Sequence, residues 1–525
     1  MPNIVELSLG RKPEAEVPLS ESAVRVEVRV RADAVVALAD EWSARTEPLS
    51  FKEFESALRE VMFAFARIVI ALFLVKREEH VMRSYPQRVA RGNRTFRQAP
   101  RIVRSLATMF GVVRYARTYM REVGFSARRG FHPLDIALGL VGDRFSWNVL
   151  ALAARLATKL SFAEARTTLG SFVPNAPSTE VIEQTVLGLG RHTGDWFEQA
   201  PVVEDDGEVL VILFDSKGAP TATESELSRR RGKRRKRRLA ASPRHRGRHR
   251  RRRFDKKPRR KKGDKSKNAK LATMVVMYTL KRRGPKLLGP INRRHYASFA
   301  PKRHTFAIAH REALKRGFGP GSGKLVQIVT DGDLDLAAYV REYFPTAMHT
   351  IDVMHVIEKL WTAGECVFAE GSQELRDWID RQKDHLYAAE IEIILATLRR
   401  HRDELAPDAK TKRERLREVI HYIDKRVDKM PYDRIIKQDL ELGTGIVEGA
   451  IKNIIGKRCD HGGMRWIKER AEAVVQLRCI DANGDWENFI AFVHERMRRQ
   501  SEQDGIRRRL QSSQPANLPR FMETA

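Results

Sequence analysis

Cysteine is scarce: Cys366, Cys459 and Cys479 are the only three in 525 residues, and no two form a C-x-x-C pair. An odd, scattered set excludes a disulfide framework and a cysteine-rich zinc site, and it fits a reducing, intracellular setting. Long apolar runs are missing as well. The longest, Val61–Val75, holds fifteen residues and is interrupted by Arg67, short of the roughly twenty that a membrane span needs. It is expected to be a buried helix. Met1–Arg11 lacks an apolar stretch behind basic residues, so no secretory signal is expected there. Acid is the minority charge, with 67 Asp and Glu against 98 Lys and Arg, a net +31. Such an excess points to a polyanionic partner, nucleic acid before any other, and not to a membrane. The expected location is the cytoplasm, in association with the nucleoid.

What is present is unevenly spread. Residues 229–270 carry 25 Lys and Arg against Asp255 and Asp264, so this block supplies most of the net charge. RRRGKRRKRR (229–238) and RHRRRRF (248–254) hold almost no apolar residues and cannot offset the entropy of ordering, so a flexible basic arm is expected at 227–270. Arg234, Arg235, Lys236, Arg237, Arg250, Arg251 and Arg252 are its candidate DNA contacts. A solubilising tail or a localisation signal would have a similar composition. Phosphate neutralisation by such an arm gives salt-sensitive affinity without base readout.

Before the arm, Val24–Val30 (VRVEVRV) alternates like a half-buried strand, and helical spacing follows in Phe51–Glu79, Asp135–Leu140 and Trp147–Leu160. Ser161 with Glu164, and Ser178, stand where helix N-caps would. The helices they open, separated by Pro174–Pro177, make either a helix-turn-helix unit that reads DNA or an ordinary packed pair. From Val209 short apolar runs appear: Val209–Phe214, Leu271–Leu280, Leu287–Ile291 and Leu325–Val329, interleaved with helical His304–Phe318 and Leu334–Phe344. This pattern predicts an α/β domain with a mixed sheet. Two apolar stripes, Ile391/Ile394/Leu395/Leu398 and Leu416/Val419/Ile420/Ile423/Val427, flank Pro407 and predict an inserted helical hairpin.

Three acids stand at the ends of such elements. Asp215 follows VLVILF, Asp331 follows LVQIV after one Thr, and Glu448 lies in GTGIVEGAIKNIIGK, where Thr444 would cap a helix showing Glu448 and Lys452 on one face. Carboxylates past strand ends point into the crevice where open α/β sheets place their sites. A cluster of three repels itself unless divalent cations neutralise it, and oxygen donors suit Mg²⁺ or Mn²⁺. Two such ions activate a water or hydroxyl and stabilise the leaving oxygen of a phosphodiester. Any single acid at a strand end is as readily a cap or turn residue.

TDGD (330–333), YFPTAMHTIDVMHVIEKLW (343–361) and GTGIVEGAIKNIIGKRCDHGGMRW (443–466), with SLATMFGVVRYARTYM (105–120) and HPLDIALGL (132–140) upstream, resemble bacterial insertion-sequence DDE transposases. The group they look most like is the Kra-type, allied to the Mutator-like transposases. The resemblance touches most of residues 100–490. It implies an RNase H-like catalytic domain with a helical insertion before the last acidic helix. It also implies Asp215, Asp331 and Glu448 as the acids that hold two Mg²⁺ (or Mn²⁺) ions. Its D-x-x-H element falls on Asp352 and His355, which either orient DNA and assist proton transfer or serve as a cap and a core histidine. The sequence departs from the family in having no Cys within Tyr119–Pro133, so no zinc ribbon is expected, and in the density of its basic arm.

Lys452, Lys457, Arg458, Arg465 and Trp466 flank the last block and are candidate DNA contacts, with Trp466 alternatively core. GFGPGSGK (317–324) is not a phosphate loop, because Phe318 and Leu325 occupy positions that need Gly and Ser/Thr. The expected organisation is a mostly helical region 1–95 and a helical DNA-binding region 96–200, then a first catalytic part 201–372. A helical insertion 373–435, a second catalytic part 436–495 and a flexible tail 496–525 complete it. The expected activity is cleavage of element-end DNA and its joining to a target by a dimer or higher homo-oligomer. The alternatives are a metal-dependent nuclease without strand transfer and a non-catalytic, transposase-like DNA-binding protein.

Overall fold

The computed structural model describes residues 20–47, 50–125, 130–140, 144–202, 205–229, 269–460 and 466–504. Two compact units emerge: one runs to Leu189 and takes in the C-terminal residues from Glu487, and the other is Gly190–Trp486. The architecture is mixed α/β with a mixed sheet. Among the described residues no helix is long and apolar enough to cross a membrane.

The first unit opens with α1 (Glu21–Ser43) and α2 (Phe51–Arg83). The alternating valines 24–30 lie inside α1 and not in a strand. Ser20 accepts a hydrogen bond from Ala23 N, and the Glu21–Arg25 and Glu27–Arg31 pairs bind successive turns. Local capping and i,i+4 pairing outweigh a short alternation that has no neighbouring strand. The apolar run 61–75 is helical within α2 but not buried as a whole: Leu74 is buried, whereas Phe73 is 54% exposed.

Residues 88–131 correct a second expectation. They form an antiparallel four-stranded sheet, β1 (Arg88–Arg91), β2 (Arg94–Thr108), β3 (Gly111–Glu122) and β4 (Gly130–Phe131), where helix was expected. Alternation along β3 buries Val113 and Tyr115 while Val112 and Arg114 stay exposed, and Gly111, at φ +111°, makes the tight turn from β2. Asp135, in α3 (Pro133–Ala137), is buried between Arg104 and Arg117 of the hairpin, 3.0 Å from the Arg104 guanidinium. Next come α4 (Trp147–Lys159), α5 (Phe162–Gly170) and α6 (Thr179–Gly190). Ser161 and Glu164 form a reciprocal capping box, and Ser178 accepts from Val181 N at 3.3 Å. The C-terminal helix Trp486–Asp504 extends into the span expected as a tail, and buries Met497 and Ser501.

The second unit begins with α7 (Thr193–Gln199) and is built on a five-stranded sheet. Its strands are β5 (Val209–Pro220), β6 (Ala269–Arg283), β7 (Lys286–Ser298), β8 (Leu325–Thr330) and β9 (Met348–Ile351), in the order β7-β6-β5-β8-β9. β7, β6 and β5 run antiparallel, and β5, β8 and β9 run parallel. A short helix, α8, is described over 224–229. Leu210, Ile212 and Phe214 pack on one face of the sheet against α9 (Lys302–Lys315) and α10 (Leu334–Tyr343), with the Phe214 and Phe306 rings stacked 3.9 Å apart. Val209, Val211 and Leu213 are buried on the other, so this central strand reads as a continuous apolar run.

After β9 come α11 (Val353–Val367), α12 (Gln373–Tyr387), α13 (Ile391–Glu404) and α14 (Lys410–Asp424), then α15 (Tyr432–Lys437). The apolar stripes of α13 and α14 are buried. The chain returns to the sheet as α16 (Gly445–Ala450), widens into a π turn over Ile451–Gly456, and resumes as α17 (Lys457–Cys459). The last helix of this unit is α18 (Lys468–Ala482).

Candidate active site

Asp215 and Asp331 arrive side by side because β5 and β8 are parallel neighbours. Leu213 pairs with Val329, and each Asp stands two residues further along its chain. Asp215 is not past its strand, as the sequence suggested: β5 continues to Pro220 through its antiparallel pairing with β6. Burial is the largest influence raising the Asp215 pKa, and the charges of Asp331 and Glu448 raise it further against a 2.5 Å hydrogen bond from Ser216 N. These three acids, 116 and 117 residues apart in sequence, are therefore near enough to repel one another.

Asp331 sits in the loop between β8 and α10 and accepts from Asp333 N at 2.9 Å. Two acids that follow it closely have other places. Asp333 caps α10 and is paired with Lys302 at 2.6 Å, while Asp335 lies inside the helix. The loop is held by the helical insertion: Tyr422 Oη of α14 donates to the Asp331 carbonyl at 2.9 Å, and Arg426 Nε donates to the Gly332 carbonyl at 2.8 Å. Gly332 has φ +87°, and a Cβ there would meet Tyr422 Oη at 2.6 Å, so both backbone and space call for glycine. Burial pushes the Tyr422 hydroxyl up to about 12, keeping it a donor at neutral pH.

Asp352 is almost fully buried and caps α11, its Oδ1 accepting from Met354 N at 2.7 Å. Its Oδ2 accepts from both the backbone N and the hydroxyl of Thr444. Thr444 Oγ1 also lies 3.4 Å from Glu448 Oε1. Thr444 thus makes no side-chain cap for α16, contrary to the sequence reading, and bridges two acids instead. Gln327 of β8 bonds both backbone groups of Glu441, and Tyr278 donates to the Glu441 carboxylate at 2.5 Å, so the segment entering α16 is tied to the sheet. His355 follows one turn into α11. Ligand-capable atoms of Asp352, His355 and Glu448 all lie within 4.8 Å of one another.

Among the described residues, no Lys or Arg pairs with Asp215, Asp331, Asp352 or Glu448; His355 lies 3.5 Å from Glu358. Four carboxylates with no Lys or Arg partner, in a chain of net +31, form an arrangement that could hold oxygen-seeking cations.

The candidate DNA contacts divide. Lys452 and Lys457 are exposed on the acidic helix. Arg458 and Trp466 are buried, which corrects Arg458 as a surface contact and agrees with the core alternative for Trp466: the Arg458 guanidinium lies 4.6 Å over the Trp466 ring, whose Nε1 donates to the Arg458 carbonyl at 3.2 Å. Trp466 also pairs its backbone with Pro220 and Ala222 beyond β5, so it closes the fold. Arg465 and the arm residues Arg234, Arg235, Lys236, Arg237, Arg250, Arg251 and Arg252 lie outside the described residues. Tyr422, Arg426 and Thr444 escaped sequence reasoning as site residues. Only the glycine of TDGD hinted at a close neighbour, and Tyr422 is 91 residues from the carbonyl it binds.

No protein-family model matches the chain, and no curated protein matches it either.

Proposed function

We propose that the protein is a DDE-type DNA transposase that cleaves DNA at insertion-sequence ends and joins the freed 3′-hydroxyl to target DNA. The observation that carries this reading is the meeting of Asp215, Asp331 and Glu448, with Asp352 and His355, where among the described residues no Lys or Arg pairs with any of the acids. Strand order β7-β6-β5-β8-β9, with an acid on the central strand and another after its parallel neighbour, supports an RNase H-like catalytic domain. The helices between β9 and α16 fit the insertion of that family.

The donor set fits Mg²⁺ or Mn²⁺, since it is rich in carboxylate oxygen and uncompensated. Asp215, Asp331 and Glu448 would hold the ions. Bound divalent ions supply Lewis-acid stabilisation of a phosphodiester and lower the pKa of an attacking water or hydroxyl. The protein's own part is positioning. Tyr422 and Arg426 fix the backbone carrying Asp331, Thr444 fixes Asp352 and Glu448, and exposed Lys452 and Lys457 offer phosphate contacts beside them. No serine or tyrosine is required as a covalent nucleophile.

The test is an assay with DNA carrying the element's own ends. Mg²⁺-dependent cleavage and joining should fall by more than about 100-fold in Asp215→Asn, Asp331→Asn and Glu448→Gln proteins that still bind DNA. Full activity in those variants overturns the assignment, and cleavage without joining in the unaltered protein identifies a nuclease.

A further inference from the structure

We infer that His355 supplies a nitrogen ligand, so that the Asp352–His355–Glu448 end of the crevice binds Mn²⁺ in preference to Mg²⁺. This rests on the reading of the crevice as a divalent-ion site. It goes beyond that reading by adding a ligand outside the three acids and by stating which ion is favoured.

The first argument is geometric. Two ligand atoms on opposite sides of an ion at about 2.1 Å are separated by about 4.2 Å, and the donor atoms of Asp352, His355 and Glu448 already lie within 4.8 Å of one another. The second is preorganisation. Asp352 is held by Met354 N and by Thr444, and Thr444 reaches Glu448 at 3.4 Å. His355 shares the first turn of α11 with the cap that Asp352 makes. The third is the partner of the imidazole. Glu358 Oε2 stands 3.5 Å from His355 Nδ1. In metal sites a carboxylate at one ring nitrogen fixes the tautomer and leaves the other nitrogen to the ion, here Nε2.

Ligand chemistry then decides the preference. Mg²⁺ loses water reluctantly and favours all-oxygen surroundings. Imidazole favours transition ions, and Mn²⁺ tolerates carboxylate and imidazole together. Asp215 and Asp331 offer carboxylate oxygen alone, the harder donor set.

Pulsed electron paramagnetic resonance of Mn²⁺ added to the full-length, metal-stripped protein tests this directly. The expected result is a ¹⁴N coupling that disappears in His355→Ala, with Mn²⁺ affinity weakened by at least about tenfold and Mg²⁺ affinity changed less. Circular dichroism of the variant monitors its fold, and the coupling in the unaltered protein needs no variant. Bound Mn²⁺ without nitrogen coupling, or coupling that persists in His355→Ala, overturns the inference and leaves the proposed activity standing. Failure of the unaltered protein to bind either ion overturns both.

Discussion

Asp215 carries a charge that the folded chain alone disfavours. Burial is the main reason, with repulsion from Asp331 and Glu448 added. A carboxyl whose folded pKa is raised contributes stability below its unfolded pKa and loses it as pH rises through the folded value. At neutral pH without divalent ions, Asp215→Asn should therefore raise the melting temperature while abolishing cleavage. The gain should shrink as pH falls through the raised folded value and be gone below the ordinary carboxyl range, where the native residue is protonated in both states. Thermal melts across pH, with and without Mg²⁺, check this, and added Mg²⁺ should stabilise the unaltered protein more than the variant. Tyr422 offers a second test. Tyr422→Phe removes only the hydroxyl that holds the Asp331 carbonyl, a loss of about 1 kcal/mol for a neutral hydrogen bond. Steady-state kinetics should show kcat reduced several-fold with KM for DNA little changed, because the residue orients an acid and is not placed to bind phosphate.

Among the elements, the acidic helix is the unusual one. Its α-helical turns on either side of Ile451–Gly456 are separated by a π turn, a wide coil that leaves carbonyls to be satisfied from outside. Arg478 of α18 does so, donating to the Asn453 carbonyl at 2.5 Å and the Ile454 carbonyl at 2.8 Å. The guanidinium fork reaches both at once, which a lysine cannot. Arg478→Ala should cost about 1–3 kcal/mol by leaving these groups unmade, measured by urea unfolding. Arg478→Lys should recover only part of it. The helical insertion acts at the same scale: α14 clamps the loop of Asp331 while α11 presents Asp352 and His355, so an insertion between strands becomes part of the site.

Taken as a whole, the chain combines two oppositely charged features. A block of +23 at 229–270 accounts for most of the net +31, and acids of β5, of the loop after β8 and of α16 lie near enough to act on one another. On the proposed function, DNA attraction and divalent-ion binding would reside in different segments. Replacing 229–238 with Gly and Ser should weaken DNA binding similarly for all sequences and flatten its dependence on salt, since each lost phosphate contact releases fewer counterions. Titrations of two unrelated duplexes at several salt concentrations measure this, and a loss confined to one sequence contradicts it. Elsewhere in the second unit, charge is used for cohesion. Asp206 is bound by Arg316 at 2.6 and 2.7 Å, by Thr279 and by Asn292, and although burial opposes its ionisation these bonds hold its carboxyl down to about 2.

Composition and periodicity were sufficient for the mixed α/β sheet, the inserted helices and the three acids as candidates, because apolar runs, stripes and charge are local properties of the chain. They misread Val24–Val30 and residues 88–131, where capping and long-range pairing decided between helix and strand. Arg458 looked like a surface group beside a turn, and Trp466 like either a surface or a core group; stacking on each other, and backbone pairing of Trp466 with Pro220 and Ala222 at the end of β5, bury both. Only the tertiary structure could bring Tyr422 to the Asp331 loop, make Thr444 a bridge, and gather Asp352, His355 and Glu448 within 4.8 Å. Most of those relations join residues more than ninety positions apart, and their distances are set by sheet register and helix packing, which no local pattern encodes.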